Sequence, residues 1–257
     1  MKSSAQTLKE SPARESHAAQ AFLPKTAKDK LIVALDFPDA SQALQLVDRL
    51  EDSCRWFKVG LELYLAAGNQ VVETLKKRGF SVFLDLKLHD IPNTVAGAVR
   101  SVASLGADLL TVHAGGGPIM LAAAAEAATA SQTAPRLLAV TVLTSMDAAQ
   151  LTAIGISSSP AEQALRLAQV AHAAGISGLV CSPEEAAQMR RALPDAILVT
   201  PGIRPAGAEV GDQKRIATPA AALAAGANYL VVGRPITQAA KPSAAVARIL
   251  QEMDTGK

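Results

Sequence analysis

The sequence predicts a single (β/α)8 barrel, and three observations lead there. Eight short apolar runs between Leu31 and Arg234 are each followed by a stretch with helical signals. Several of those stretches end in a glycine just ahead of the next run, at Gly79, Gly106, Gly175 and Gly226, as helices that stop on a left-handed residue do. The length of 257 residues suits one such barrel, which typically takes about 250. Periodicity alone does not close a sheet, so a doubly wound open sheet is the runner-up.

Taken in order, the apolar runs are Leu31–Asp36, Trp56–Gly60, Ser81–Leu88, Leu109–His113, Arg136–Ser145, Gly178–Ser182, Ala196–Gly202 and Tyr229–Arg234. After the third run, Val95, Val99, Val102 and Leu105 share one helical face. The Ala-rich stretch from Leu121 to Ala130 is high helix propensity. After the sixth, Ser182-Pro183-Glu184-Glu185 is a capping box with proline at the first helical position. Thr218-Pro219 opens a further helix in the same way. Two connections are too long for plain turns, Ser145 to about Pro160 and Ile203 to about Ala217. Long loops at the carboxyl ends of barrel strands are usually functional.

The composition narrows the function classes. Of all residues 49% are hydrophobic and 3% aromatic, so the core is built from Ala, Leu, Val and Ile. With 25 Lys+Arg against 23 Asp+Glu the net charge is +2. That balance and the scarcity of aromatic stacking platforms argue against nucleic acid as a partner. Cys54 and Cys181 stand far apart, which argues against a disulfide framework or a Cys-built zinc site and fits a reducing, cytoplasmic compartment. No apolar run approaches the roughly 18 residues of a membrane span. Residues 1–29 are mostly polar, lack a secretory apolar core and read as a flexible extension. The barrel domain is then 30–257.

The third run places chemistry inside the barrel. Period two puts Val82, Leu84, Leu86 and Leu88 on the face toward the helices and Phe83, Asp85 and Lys87 on the inner face. Buried charges are costly unless paired, and an ion pair that neutralises itself would be reason enough for two of them. Asp36 at the end of the first run and Lys58 within the second add two more charges near the same mouth. Four ionisable residues on three successive strands exceed what stability requires and point to catalysis. Strand parity does not aim Asp90 inward, because it lies an odd number of residues beyond Lys87, just before Ile91-Pro92. The seventh and eighth runs end in Pro201-Gly202-Ile203-Arg204-Pro205 and Gly233-Arg234-Pro235, the usual phosphate site of such barrels.

These residues resemble the orotidine 5′-phosphate decarboxylases of bacterial type, within the ribulose-phosphate-binding barrel superfamily. The resemblance rests on Asp85-x-Lys87-x-x-Asp90 followed by Ile91-Pro92-Asn93-Thr94. It extends to Leu31–Asp36, Phe57-Lys58-Val59-Gly60, Val142-Leu143-Thr144-Ser145, Pro201-Gly202-Ile203-Arg204, Asp212-Gln213-Lys214 and Val232-Gly233-Arg234-Pro235, over about residues 30–250. It implies cofactor-independent decarboxylation of orotidylate to UMP, the last step of de novo pyrimidine nucleotide biosynthesis, with no metal. It also implies site roles. Asp36 and Lys58 hold ribose hydroxyls, Asp85 lies against the substrate carboxylate, and Lys87 protonates carbon 6. Thr144 and Ser145 border the pyrimidine, Gln213 bridges base and phosphate, and Gly233 and Arg234 bind the phosphate. Arg204 belongs to the ligand site. Asp90 and Thr94 reach the ribose region of a neighbouring subunit's site in a homodimer. Relatives acting on ketogulonate or hexulose phosphates share Asp-x-Lys-x-x-Asp. A metal-dependent sugar-phosphate decarboxylase or aldolase on the same barrel is therefore the alternative, and a non-catalytic nucleotide-binding barrel is a second.

Other residues read as structural. His89 and His113 lie near strand tops but lack companion carboxylates at metal spacing. His113-Ala-Gly-Gly-Gly117 lacks the spacing of a phosphate-binding loop. His172 precedes Gly175 near a helix end, where a cation is favoured, and Trp56 and Phe57 are packing residues.

Overall fold

Eight parallel strands pair in sequence order, and the eighth pairs with the first, so the sheet closes. The structure is a computed structural model and describes residues 24–50, 53–131, 133–206 and 215–255. The strands are β1 (Leu31–Leu35), β2 (Trp56–Gly60), β3 (Ser81–Leu88), β4 (Leu109–His113), β5 (Arg136–Val140), β6 (Gly178–Val180), β7 (Ile197–Thr200) and β8 (Tyr229–Val232). Around them run α1 (Ala27–Lys30), α2 (Ala40–Leu50), α3 (Leu61–Ala67), α4 (Asn69–Lys77), α5 (Pro92–Ala103) and α6 (Gly117–Thr129). They continue with α7 (Ala148–Ala153), α8 (Pro160–Ala173), α9 (Pro183–Ala192), α10 (Pro219–Ala224), α11 (Arg234–Thr237) and α12 (Pro242–Thr255). Closure settles the choice against the open sheet. Among the described residues no helix is long and apolar enough to cross a membrane.

Several strands stop short of the apolar runs that predict them. The run to Ser145 leaves the ladder after Val140, and the runs to Ser182, Gly202 and Arg234 leave it after Val180, Thr200 and Val232. Apart from Ala196, the overshooting residues lie at the carboxyl ends, where the chain peels away to form the mouth of a cavity. Many remain buried there, as Val142, Cys181 and Gly202 do, so their apolar character mimics continued strand. At the other end, Pro24 to Asp29 belong to the described structure although the sequence assigns them to the extension. Thr26 and Asp29 cap α1 reciprocally and lead straight into β1. Residues 1–23 lie outside the described residues.

Period two sorts the core into two layers. Ile32, Trp56, Phe83, Leu109, Leu138 and Tyr229 fill the barrel interior, with the Trp56 and Tyr229 rings edge-on at 5.4 Å. Val33, Phe57, Val82, Leu84 and Leu110 face outward against the helices. Close passage of β6 along β5 depends on Gly178, where a Cβ would stand 2.5 Å from the Leu137 carbonyl oxygen. The amino ends of β7 and β8 are tied by Arg190. Its guanidinium donates to the carbonyls of Pro194, Ala196 and Gly226 and to Asn228 Oδ1, which also accepts the Leu198 N–H. The amino end is thereby stapled, leaving the carboxyl end for chemistry.

Candidate active site

A cavity of about 460 Å3 opens at the carboxyl ends of the strands. Asp36, Lys58, Asp85, Lys87, Thr144, Arg204, Gly233 and Arg234 all line it, so eight residues singled out from sequence meet in one place. Its walls between them are apolar and backbone surfaces, among them Ala34, Phe83, Val142, Val180, Gly202 and Val231.

The charged residues form an alternating chain. Lys58 Nζ donates to Asp36 Oδ1 at 2.8 Å and lies 3.7 Å from Asp85 Oδ2. Lys87 Nζ donates to Asp85 Oδ1 at 2.8 Å. Asp85 and Lys58 are largely enclosed, their side chains 14% and 10% exposed, whereas Asp36 opens to solvent at 59%. Burial works to raise the Asp85 carboxyl. The ammonium groups of Lys58 and Lys87, with hydrogen bonds from Lys87 and Thr111, outweigh it and hold the carboxyl below its ordinary range. Asp85 is therefore ionised at neutral pH, and two cations flank it. Gly60 leaves room for this arrangement, since a Cβ there would come within 2.8 Å of Lys58 Nζ and 3.2 Å of Asp36 Oδ1.

A bulge in β3 delivers Lys87. Leu84 pairs with Leu110 and Leu88 with Val112, so β3 takes four residues where β4 takes two. Lys87 sits within the bulge at φ +50°, a left-handed conformation that costs a non-glycine residue about 1–2 kcal/mol. Thr111 fastens it. The Lys87 N–H donates to Thr111 Oγ1 at 2.8 Å, and that hydroxyl donates to Asp85 Oδ1 at 3.0 Å. Sequence reasoning passed over Thr111, although period two from the buried Leu109 would have placed it on the inner face of β4.

Other expected site residues lie elsewhere. Asp90 and Thr94 are exposed outside the cavity, and Asp90 Oδ1 accepts the Ile91 N–H at 2.6 Å. Ser145 is exposed and does not line the cavity, although its neighbour Thr144 does. Gln213, with Asp212 and Lys214, lies outside the described residues. Arg204 is buried and its Nη1 donates to the Ile203 carbonyl at 2.9 Å. Its segment is fastened to the far end of the same loop by Arg204 N–H to Ala217 O and Ala217 N–H to Gly202 O.

Beside the cavity Arg215 and Glu185 form a buried ion pair with no sequence signal to announce it. His89 and His113 stack with ring centroids 5.1 Å apart, outside the cavity lining. His113 Nδ1 accepts the Gly115 N–H, and burial, His89 and Lys87 push its pKa down. His172 is exposed in the last turn of α8. Among the described residues no group of three or more His, Cys, Asp or Glu is placed to hold a metal ion.

Comparison with known proteins places this geometry. The sequence model described as "Orotidine 5'-phosphate decarboxylase / HUMPS family" matches residues 29–249. A protein of Halorhodospira halophila named orotidine 5′-phosphate decarboxylase is 57% identical over 225 residues, covering 87% of this chain and 95% of its own. One of the same name from Moorella thermoacetica is 51% identical over 245 residues, covering 93% and 97%. The crystal structure of orotidine 5′-phosphate decarboxylase from Lactobacillus acidophilus is 39% identical, with a TM-score of 0.77 over 87% of this chain and 98% of that one. Sequence and fold agree along nearly the whole barrel, and the chain belongs to the orotidine 5′-phosphate decarboxylase / HUMPS family.

Proposed function

We propose that the protein decarboxylates orotidine 5′-phosphate to UMP, the last step of de novo pyrimidine nucleotide biosynthesis. The observation that carries this reading is the Asp85–Lys87 pair, an ionised carboxylate and an ammonium 2.8 Å apart in the cavity at the mouth of the barrel. Breaking the bond between carbon 6 and the carboxylate releases carbon dioxide and leaves the electron pair on carbon 6. No neighbouring carbonyl delocalises that pair well. Lys87 Nζ is a cation able to stabilise the developing charge and then give carbon 6 its proton, after which the amine recovers a proton from solvent.

Asp85 does two things in this scheme. It orients Lys87, and it sets a negative charge beside the substrate carboxylate. Two unit charges ~4 Å apart at an effective dielectric near 20 repel by about 4 kcal/mol, relieved when carbon dioxide leaves. Enzymic accelerations correspond to ~8–23 kcal/mol, so this repulsion is a fraction of the whole. Binding of the remote parts supplies more. Gly233 and Arg234 grip the phosphate, joined by Gln213. Arg204 belongs to the same ligand site. Asp36 and Lys58 hold ribose hydroxyls, and Thr144 with Ser145 borders the base.

The working form is a homodimer in the cytoplasm, with Asp90 and Thr94 crossing to the partner's ribose. Ile91, next to Asp90 in the chain, supports an interface here, being 67% exposed although apolar. A spectrophotometric assay tests the reaction itself. Purified protein with orotidylate, EDTA and no added metal is expected to convert the substrate spectrum to that of UMP. Turnover only on added metal, or on sugar phosphates instead, would transfer the site to the metal-dependent relatives. UMP binding without spectral change would make it a binding barrel.

A further inference from the structure

Arg215 is 8% exposed and Glu185 1%, so their ion pair lies inside the protein. A hydrophobic pair of similar volume would often stabilise a fold at least as well, so a buried pair calls for a reason beyond stability. Its hydrogen bonds supply one. Nη2 donates to the carbonyls of Val142 at 3.2 Å and Leu143 at 2.8 Å. Nη1 meets Glu185 Oε1 and donates to Ser182 Oγ at 3.3 Å. One guanidinium thus ties together the loops after β5, β6 and β7.

Its own footing is firm on both sides. Glu185 Oε2 accepts the Ser182 N–H at the start of α9, fixing the carboxylate from behind. Ala217, two residues beyond Arg215, bridges to Ile203 and exchanges backbone hydrogen bonds with Gly202 and Arg204. The loop it grips has left the β5 ladder, and its residues Val142, Leu143 and Thr144 line the cavity. Two adjacent carbonyls held by one planar fork fix both position and orientation of that backbone.

We propose that Arg215 is a positioning residue for the base end of the site, holding the Val142 and Leu143 carbonyls and so setting where Thr144 stands against the pyrimidine. The proposal rests on the reading of Thr144 as a pyrimidine neighbour. Gly233 and Arg234, at the phosphate end, follow β8 and lie outside the three loops that the guanidinium joins. Loss of the fork therefore weakens recognition of the base and leaves phosphate recognition alone.

Two Arg215 variants test it, each judged by its affinity for UMP and for ribose 5-phosphate, which lacks the base. The double variant Arg215→Met with Glu185→Gln removes both charges together and keeps a side chain able to cap α9. Arg215→Lys retains the ion pair but replaces the fork with a point charge. In both, UMP affinity and kcat/KM for orotidylate should fall about ten- to a hundredfold, with ribose 5-phosphate affinity unchanged within about twofold. Should the double variant fail to fold, Arg215→Lys carries the test. Equal loss of both ligands would make Arg215 merely structural, and unchanged UMP binding would also overturn the proposal. Thr144→Val, with Arg215 intact, tests the underlying reading separately. It should lose UMP affinity alone, and if it does not, the pyrimidine assignment of this loop falls whatever Arg215 does.

Discussion

Lys87 and Asp85 make predictions of different kinds. If Lys87 supplies the proton, Lys87→Ala should lower kcat by more than about a hundredfold, the usual worth of general acid catalysis, while UMP binding by calorimetry stays near wild type. Retention of more than a hundredth of the activity would remove Lys87 from that role. Asp85 makes a prediction about pH. Its folded-state pKa is depressed below the ordinary 3.8, so its ionisation stabilises the fold above that value and the stabilisation is lost as pH falls through the folded value. The Tm difference between wild type and Asp85→Asn should therefore be flat from roughly pH 8 to pH 5 and change only below about pH 4. A change centred near neutrality would mean that the flanking lysines do not control this carboxyl.

The bulge in β3 is the element on which the site turns. A regular strand would carry period two onward, whereas the bulge puts Lys87 in a left-handed conformation with its N–H on Thr111. That strain is measurable separately from the charge. Lys87→Ala and Lys87→Gly both lack the ammonium, but only glycine adopts φ +50° freely. The conformation costs alanine about 1–2 kcal/mol, and the freer unfolded chain of glycine offsets about 0.4–1 of that. Lys87→Gly should accordingly be the more stable in urea unfolding by roughly 0.5–1 kcal/mol. Equal stability, or the reverse order, would show that the bulge is relaxed at this residue.

For the whole molecule the question is whether one chain makes a complete site. Asp90 and Thr94 stand outside the cavity of their own barrel, beside the exposed Ile91. If they complete a partner's site across a two-fold axis, Lys87→Ala and Asp90→Ala homodimers are each severely impaired. A mixed dimer then has one site with both groups intact and one lacking both. Random exchange of subunits should restore roughly a quarter of wild-type activity. No recovery, with heterodimers demonstrated by mass spectrometry, would place Asp90 outside the partner's site.

The barrel was legible along the chain because its signals are local. Apolar runs alternate with helices, glycines such as Gly106 close the helices, and the spacing of Asp85 and Lys87 predicts both on one face. The motif around Lys87 and the Gly233-Arg234 step at the last strand likewise carry their meaning in a few adjacent residues. Thr111, Arg215 and Gly60 do not. Thr111 matters because a bulge in a different strand brings the Lys87 N–H to it, and Arg215 because three loops converge on its guanidinium. Gly60 matters because the Lys58 and Asp36 side chains fill the space a Cβ would take. The Thr111 and Arg215 contacts join residues from 24 to 73 positions apart, a separation over which no periodicity or turn chemistry acts. They exist once the sheet has closed and carried its loops to one end, so packing, rather than local pattern, fixes the geometry of the site.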